Sequence, residues 1–312
     1  MNSCTAVAPS STANLGPGYD VFGLGLDPLN DRVQIVKRPG RSRRIVIQVV
    51  GERRGIIPRE AESNSAGLVI KRMAEDFDVG DDLFVTIRKG IPSGSGMGSS
   101  AASAAAAAIA FDRLFDLRVG KPALIEYAAE GELASAGIRH YDNVSASVLG
   151  GFVIVRTEPR LEFIRIAPPK NLVLVVAVPL IEVPNRKTEF ARSVLPKKVP
   201  LRNMVHNVSN ASTIVAGFAL DDVEMIARGI NDIVIEPSRK HLIPGYDEVK
   251  QRALEAGALA VTISGAGPAM ISFLKNHRNA QRVAKAMVEG FREGNVKSKS
   301  FVCRPSRGAR VI

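Results

Sequence analysis

Three glycines at alternate positions, Gly94, Gly96 and Gly98, run into Ser99, Ser100 and a stretch of alanines ending near Phe111. Glycine admits backbone conformations closed to other residues and lets a ligand approach the chain closely. Serine starts helices well, and alanine extends them better than any other residue. The stretch from Gly90 to Phe111 therefore predicts a loop leading into a buried helix, whose unpaired N–H groups suit an anion, above all a phosphate. No lysine follows these glycines, so this is not the G-x-x-x-x-G-K-[ST] loop, and the third glycine comes one residue early for the G-x-G-x-x-G turn. A glycine turn before a tightly packed helix, with no ligand, is the plain alternative.

Other candidates for chemistry lie in four places. Residues 10–20, SSTANLGPGYD, predict a loop, and the flanking Ala13, Leu15, Val21, Phe22 and Leu24 predict that it folds against the core. His140, Asp142 and Asn143 cluster just before Gly150 and Gly151. Glu130 and Glu132 share a helix of small residues predicted over 121–137, with Pro122 in its first turn and Gly137 at its end. They stand ~100° apart around it, so only one can face a given point, and an inward carboxylate there needs a cation or a hydrogen-bond donor. Arg186, Lys187 and Arg192 crowd a proline-bounded basic segment, and Arg239 lies in an E-P-x-R sequence. For Arg186 and Arg192 a solvated surface charge is the plain alternative.

The elements needed to position these residues follow from periodicity. We expect strands at 3–8, ending at Pro9, and at 83–89, a hairpin from 31–38 and 44–50, and a helix at 63–77. Ser63 or Asn64 caps that helix, and Asn64 is placed either as the cap or beside a nucleotide base. A composition shift at 156–171 divides two lobes, residues 1–160 and 161–312. The second lobe reads as a strand at 172–178, helices at 201–220 and 222–231, and a basic loop at 235–245. A helix at 246–256, a strand–glycine loop–strand unit at 258–274, a helix at 279–293 and a strand at 299–304 complete an α/β chain. The tail RPSRGARVI is an ordered edge or a frayed end.

Lysine and arginine outnumber the acids 42 to 31 among 312 residues, a net charge of +11, but the positive charge is dispersed. With 5% aromatic residues, no tryptophan and no basic helix, this favours a small anionic ligand over nucleic acid. Cys4 and Cys303 form no C-x-x-C pair and no disulfide framework. No leader pattern is read at the N-terminus, and the longest apolar run falls short of the ~20 residues that span a bilayer. The expectation is a cytoplasmic protein with neither membrane nor nucleic-acid partner.

Taken together, Pro9-Ser-Ser-Thr-Ala-Asn14-Leu-Gly-Pro-Gly-Tyr-Asp20, Gly94-Ser-Gly-Met-Gly-Ser-Ser100, His140-Tyr-Asp-Asn143 and Ile263-Ser-Gly-Ala-Gly-Pro268 resemble the GHMP small-molecule kinases. The resemblance runs from residue 3 to about 304. Two departures are Tyr19, where phenylalanine is usual, and Tyr141, where a small residue is common; a tyrosine there narrows the space beside the substrate. The resemblance implies an N-terminal ribosomal-protein-like α/β lobe and a ferredoxin-like C-terminal lobe. It implies ATP-dependent phosphorylation of L-homoserine to O-phospho-L-homoserine on the route to threonine, by a homodimer. Another acceptor alcohol, of the shikimate or mevalonate type, and a non-catalytic ATP-binding regulator are the alternatives.

By matched position, Pro92, Ser93, Gly94, Ser95, Gly96, Met97, Gly98, Ser99, Ser100 and Ala101 form the ATP site, with Asn64 and Lys89 near the nucleotide. Ser100 and Glu132 hold Mg²⁺, which selects Glu132 over Glu130. Asn14, Asp20, His140, Asn143, Arg192 and Arg239 contact the substrate. Guanidinium groups suit its carboxylate and Asp20 its ammonium. Related mevalonate-type kinases carry aspartate where Asn143 stands. An amide is no base at neutral pH, so the reading is that no general base is dedicated to the hydroxyl proton. It passes to the γ-phosphate or solvent, with Asp142 as the competing base.

Overall fold

A computed structural model describes residues 2–40, 42–51, 57–182 and 187–312. Its first layer is a seven-stranded sheet. β1 (Ser3–Ala13) pairs antiparallel with β2 (Phe22–Arg38). β3 (Ile45–Gly51) lies parallel to β4 (Asp82–Lys89), and β4 lies antiparallel to β2. Two expectations change here. Pro9 does not end the first strand: the register shifts between Pro9 and Ser10, and the strand runs on to Ala13. Ser10 and Ser11 are strand residues, standing opposite Leu26 and Gly25 of β2, and their buried hydroxyls donate to Leu26 O at 3.1 Å and Asn143 Oδ1 at 3.0 Å. Nor do the second and third strands form a hairpin. β4 sits between them, and the parallel β3–β4 pair is joined through the helix α1 (Ser65–Asp76), as a parallel connection requires.

α2 (Ser99–Phe115) crosses this sheet and packs against α1, α3 (Lys121–Ala136) and α4 (Tyr141–Leu149). A helix covered on all sides needs apolar residues all round and small ones where backbones meet, which is why alanines fill it. Ala101, Ala102, Ala104 to Ala108 and Ala110 are all fully buried. α4 is not among the expected elements, since its first turn is the polar His140–Asn143 cluster. β5 (Phe152–Arg156) pairs with β2, and β6 (Glu162–Ile166) with β5. β6 therefore joins the first sheet from beyond residue 160.

The second layer is the antiparallel sheet β10-β7-β9-β8, from β7 (Val173–Pro179), β8 (Ala260–Ile263), β9 (Met270–Leu274) and β10 (Ser298–Cys303). Short α5 (Lys187–Ser193) precedes α6 (Leu201–Ala219) and α7 (Val223–Gly229), which pack together. The expected loop at 235–245 contains a helix, α8 (Ile235–Arg239). Asp232 accepts from the N–H groups of Val234, Ile235 and Glu236 at 2.8–3.0 Å, and Pro237 falls in the first turn, where no N–H is needed. α9 (Tyr246–Glu255) and α10 (Ala280–Glu293) cover the second sheet with their own core around Val249, Met287 and Phe291. The chain then returns to the first lobe, where β11 (Arg310–Val311) pairs with β1, so the tail is an ordered edge. Among the described residues no helix is long and apolar enough to cross a membrane.

Candidate active site

The two glycine turns meet where the lobes join. Gly96 has φ +90°, and a Cβ on it would lie 2.4 Å from Ser264 O and 2.6 Å from Gly267 O, so glycine is required by close backbone approach. Gly98, at φ +65°, begins α2. Ser264 ties the arrangement together, donating to Thr12 Oγ1 at 3.0 Å and Gly96 O at 2.9 Å. The two bonds are alternatives for one hydroxyl hydrogen. Lys89 fixes the same helix start from beneath. Its buried ammonium is bound by Asp31, Ser99 O at 2.9 Å and Ser103 Oγ at 2.8 Å. Asp31 also accepts from Gly90 N and Ile91 N.

A cavity of ≈ 320 Å³ opens between the turns. Of the residues singled out from sequence, Asn14, Asp20, Asn64, Lys89, Ser93, Gly94, Gly96, Gly98, Ser99, Ser100, Glu132, His140, Asn143, Arg192 and Arg239 line it. Pro92 and Ser95 border a second cavity behind the turn, and Met97 and Ala101 are buried in the core. Several of the lining residues are held by the protein itself. Asn64 Oδ1 caps α1 through Ala66 N and Gly67 N, and its amide donates to Pro58 O at 2.7 Å. Asn14, at φ 72°, donates to Gly265 O at 2.8 Å and accepts from Asp20 N. Arg186 lies outside the described residues.

One wall holds opposite charges side by side. Arg192 Nη2 is 2.7 Å from Asp20 Oδ1. Arg239 is 3% exposed and donates to Ala191 O and Gly265 O; among the described residues no carboxylate pairs with it. Burial lowers its pKa, the expected response of a cation with too little compensation. Both guanidinium groups lie over the Tyr19 ring, at 5.3 and 5.2 Å from its centroid. Tyr19 thus narrows the site, whereas Tyr141 turns toward Phe163. Glu236, a turn before Arg239 on α8, is itself bound by Tyr246, Thr262 and Lys250.

The same cavity also holds His140 with the buried acids Glu132 and Asp142. His140 Nδ1 lies 3.3 Å from Glu132 Oε2, while Glu132 Oε1 is buried with no partner among the described residues. Burial pushes the His140 pKa down, but Glu132 and Asp142 outweigh it and hold it above the usual value. An unpartnered carboxylate oxygen in a cavity that Ser100 also lines fits a small hard cation completed by phosphate oxygens. Asn143 is fixed at both ends of its amide, accepting from Ser11 and donating to Asp142 Oδ1 at 3.3 Å. Asp142 also takes Asn143 N at 2.7 Å; burial and then the Asp20 charge raise its pKa to about 6. The sequence reading assigned no role to Lys187, which also lines the cavity. Its position in a basic run was the available signal.

A glycine turn at a helix start, sharing one cavity with paired charges where two α/β lobes join, is the layout of a small-molecule kinase. The models of the GHMP kinases N terminal domain and the GHMP kinases C terminal domain match residues 64–151 and 214–293, and the chain belongs to the GHMP kinases. Homoserine kinase of Methanococcus maripaludis is 40% identical over 276 residues, 88% of this chain and 89% of the relative. That of Chlorobaculum tepidum is 36% identical, with 100% and 99% covered. The crystal structure of homoserine kinase from Cytophaga hutchinsonii superposes with a TM-score of 0.93 at 34% identity, covering 100% of this chain and 98% of the other. Within the GHMP kinases the chain belongs to the homoserine kinase family. L. major mevalonate kinase, at 16% identity and TM-score 0.70 over 98% of this chain and 96% of the other, shares the fold.

Proposed function

We propose that this protein transfers the terminal phosphoryl group of ATP to the side-chain hydroxyl of L-homoserine, giving O-phospho-L-homoserine. The observation that carries the acceptor is the Asp20–Arg192 pair beside Arg239, in the same cavity as the glycine turn. An α-amino acid bears its ammonium and carboxylate on one carbon, and adjacent opposite charges suit that pattern. Mevalonate and shikimate carry a carboxylate but no ammonium, so Asp20 would have no counterpart in them.

In this reading the N–H groups of the turn from Gly94 to Ser100 hold phosphate oxygens, with the start of α2 behind them. ATP would be the phosphoryl donor, and Ser100 and Glu132 would hold Mg²⁺, whose positive charge would offset that of the phosphates. Arg192 and Arg239 grip the carboxylate, Asp20 the ammonium, and His140 closes the wall beside Glu132. Asn143 orients the hydroxyl, with its amide held by Ser11 and Asp142. No side chain is dedicated to the proton, because rate here comes mainly from positioning and charge neutralisation. The lobes divide near residue 160, with β6 and β11 returning to the first sheet. The exposed apolar stripe Leu201, Val205 and Val208 on α6 supports a homodimer, which Val208→Glu should convert to monomer in sedimentation.

The deciding experiment is coupled-assay turnover with Mg²⁺ and ATP on L-homoserine, mevalonate and shikimate. Turnover restricted to homoserine is the expected result. Preference for another alcohol overturns the acceptor assignment, and no ADP release with any of them favours a binding protein.

A further inference from the structure

Lys187 opens α5, and its ammonium donates to Gly94 O at 3.1 Å and to Gly267 O. Gly94 belongs to the glycine turn of the first lobe and Gly267 to the S-G-A-G-P turn of the second. One cation from a third segment thus reaches both turns at the edge of the cavity. Among the described residues both of its hydrogen-bond partners are neutral carbonyls. An ammonium has three donors, so one remains for a further acceptor. Burial, with the charge of Arg239 added, lowers its pKa to about 7, the state of a cation that lacks an anion.

We propose that Lys187 is a phosphate-binding residue, supplying from the C-terminal lobe the positive charge that the glycine turn itself lacks. The inference rests on the kinase reading above in needing ATP in this cavity, but not on which alcohol accepts the phosphoryl group. A purely structural clasp between the two turns is the competing role. It needs N–H donors and no charge, which makes the two roles separable.

Lys187→Gln keeps donors for both carbonyls and removes the charge; Lys187→Arg keeps the charge. With the full chain and no acceptor, titration calorimetry would compare a non-hydrolysable ATP analogue with adenosine, alongside melting temperatures. The expected result is analogue affinity weakened roughly 10–100-fold in Lys187→Gln and largely restored in Lys187→Arg. Adenosine affinity and melting temperature should stay near those of the parent. Unchanged analogue affinity in Lys187→Gln overturns the proposal, as does an equal loss for analogue and adenosine accompanied by a lower melting temperature. These titrations contain no acceptor, so a wrong acceptor assignment would show in the turnover assay and leave them intact.

Discussion

Asp142 is the residue at which the two routes for the hydroxyl proton part. It is buried beside Asp20, and its pKa is raised from 3.8 to about 6. The folded state therefore binds this proton more tightly than the unfolded chain, and stability falls as pH rises through that interval. Two pK units correspond to about 3 kcal/mol, present as a cost at pH 7 and absent near pH 3. Asp142→Asn should thus be about 1–3 kcal/mol more stable at pH 7–8 and equal to the parent near pH 3, as pH-dependent melting would show. If Asp142 only orients Asn143, turnover should remain within about tenfold of the parent; a general base lost outright would cost about 10²–10⁴-fold. Turnover in that lower range, with homoserine binding intact, would reject the route without a base. Arg239→Leu should act on a different quantity, raising the homoserine KM by roughly 10–100-fold while the ATP KM barely moves. Comparable losses for both substrates would remove Arg239 from the carboxylate site. The residue types on this wall were readable because they sit in short motifs. What escaped was each residue's partner: Ser11 lies 132 residues from Asn143, and no local pattern announces such a contact.

The strand β4 and the helix α2 show why an element's setting matters as much as its motif. Lys89 was expected near the nucleotide, and it does line the cavity. Its ammonium, however, is engaged with Asp31, the two side chains being 4% and 0% exposed. That pair fixes where the glycine turn leaves β4 and where α2 begins. Removing one partner of a buried pair leaves an uncompensated charge, at a cost of about 3–5 kcal/mol. Lys89→Met should therefore lower the melting temperature by roughly 10 °C, and the double variant with Asp31→Asn should recover part of it. A parent-like melting temperature with selectively weakened ATP binding would instead make Lys89 a nucleotide contact. Helices were legible by different signals: α1 by its apolar spacing, α2 by its alanines, and α3 by Pro122 in its first turn and Gly137 at its end. The order of β2, β4 and β3 was not, because alternation identifies a strand's buried face and leaves its neighbour unspecified. α8 was read as a loop for a related reason: its capping residue, Asp232, lies outside the basic segment that drew notice.

Across the whole molecule, the lobes share an apolar core beside the separate one under α9 and α10, and in it Phe152 of β5 stacks on Phe218 of α6 at 3.9 Å between centroids and 8° between planes. The end of the chain closes the same unit. Ser306 N donates to Gly25 O at 2.9 Å, Gly151 N to Ser306 O at 2.9 Å, Ala309 N to Val148 O at 3.3 Å and Ile312 N to Thr5 O at 3.0 Å. Val148 and Gly150 lie at the C-terminal end of α4, whose first turn carries Asp142 and Asn143. A Cβ on Gly150 would come within 2.3 Å of the backbone at Arg307, so the tail is packed directly against that end. At about 0.5–1.5 kcal/mol per hydrogen bond, four of them amount to about 2–6 kcal/mol, a large share of the 5–15 kcal/mol typical of a folded protein. Deleting residues 305–312 should therefore lower the melting temperature by roughly 5–20 °C and reduce turnover, since α4 loses its backing. Deleting 310–312 removes the Ile312 bond and β11 but spares both Ser306 bonds, so its effect should be a fraction of the larger one. Equal effects would place the stabilisation in β11 alone. A long deletion that melts and turns over like the parent would show that α4 holds Asp142 and Asn143 in place without the tail.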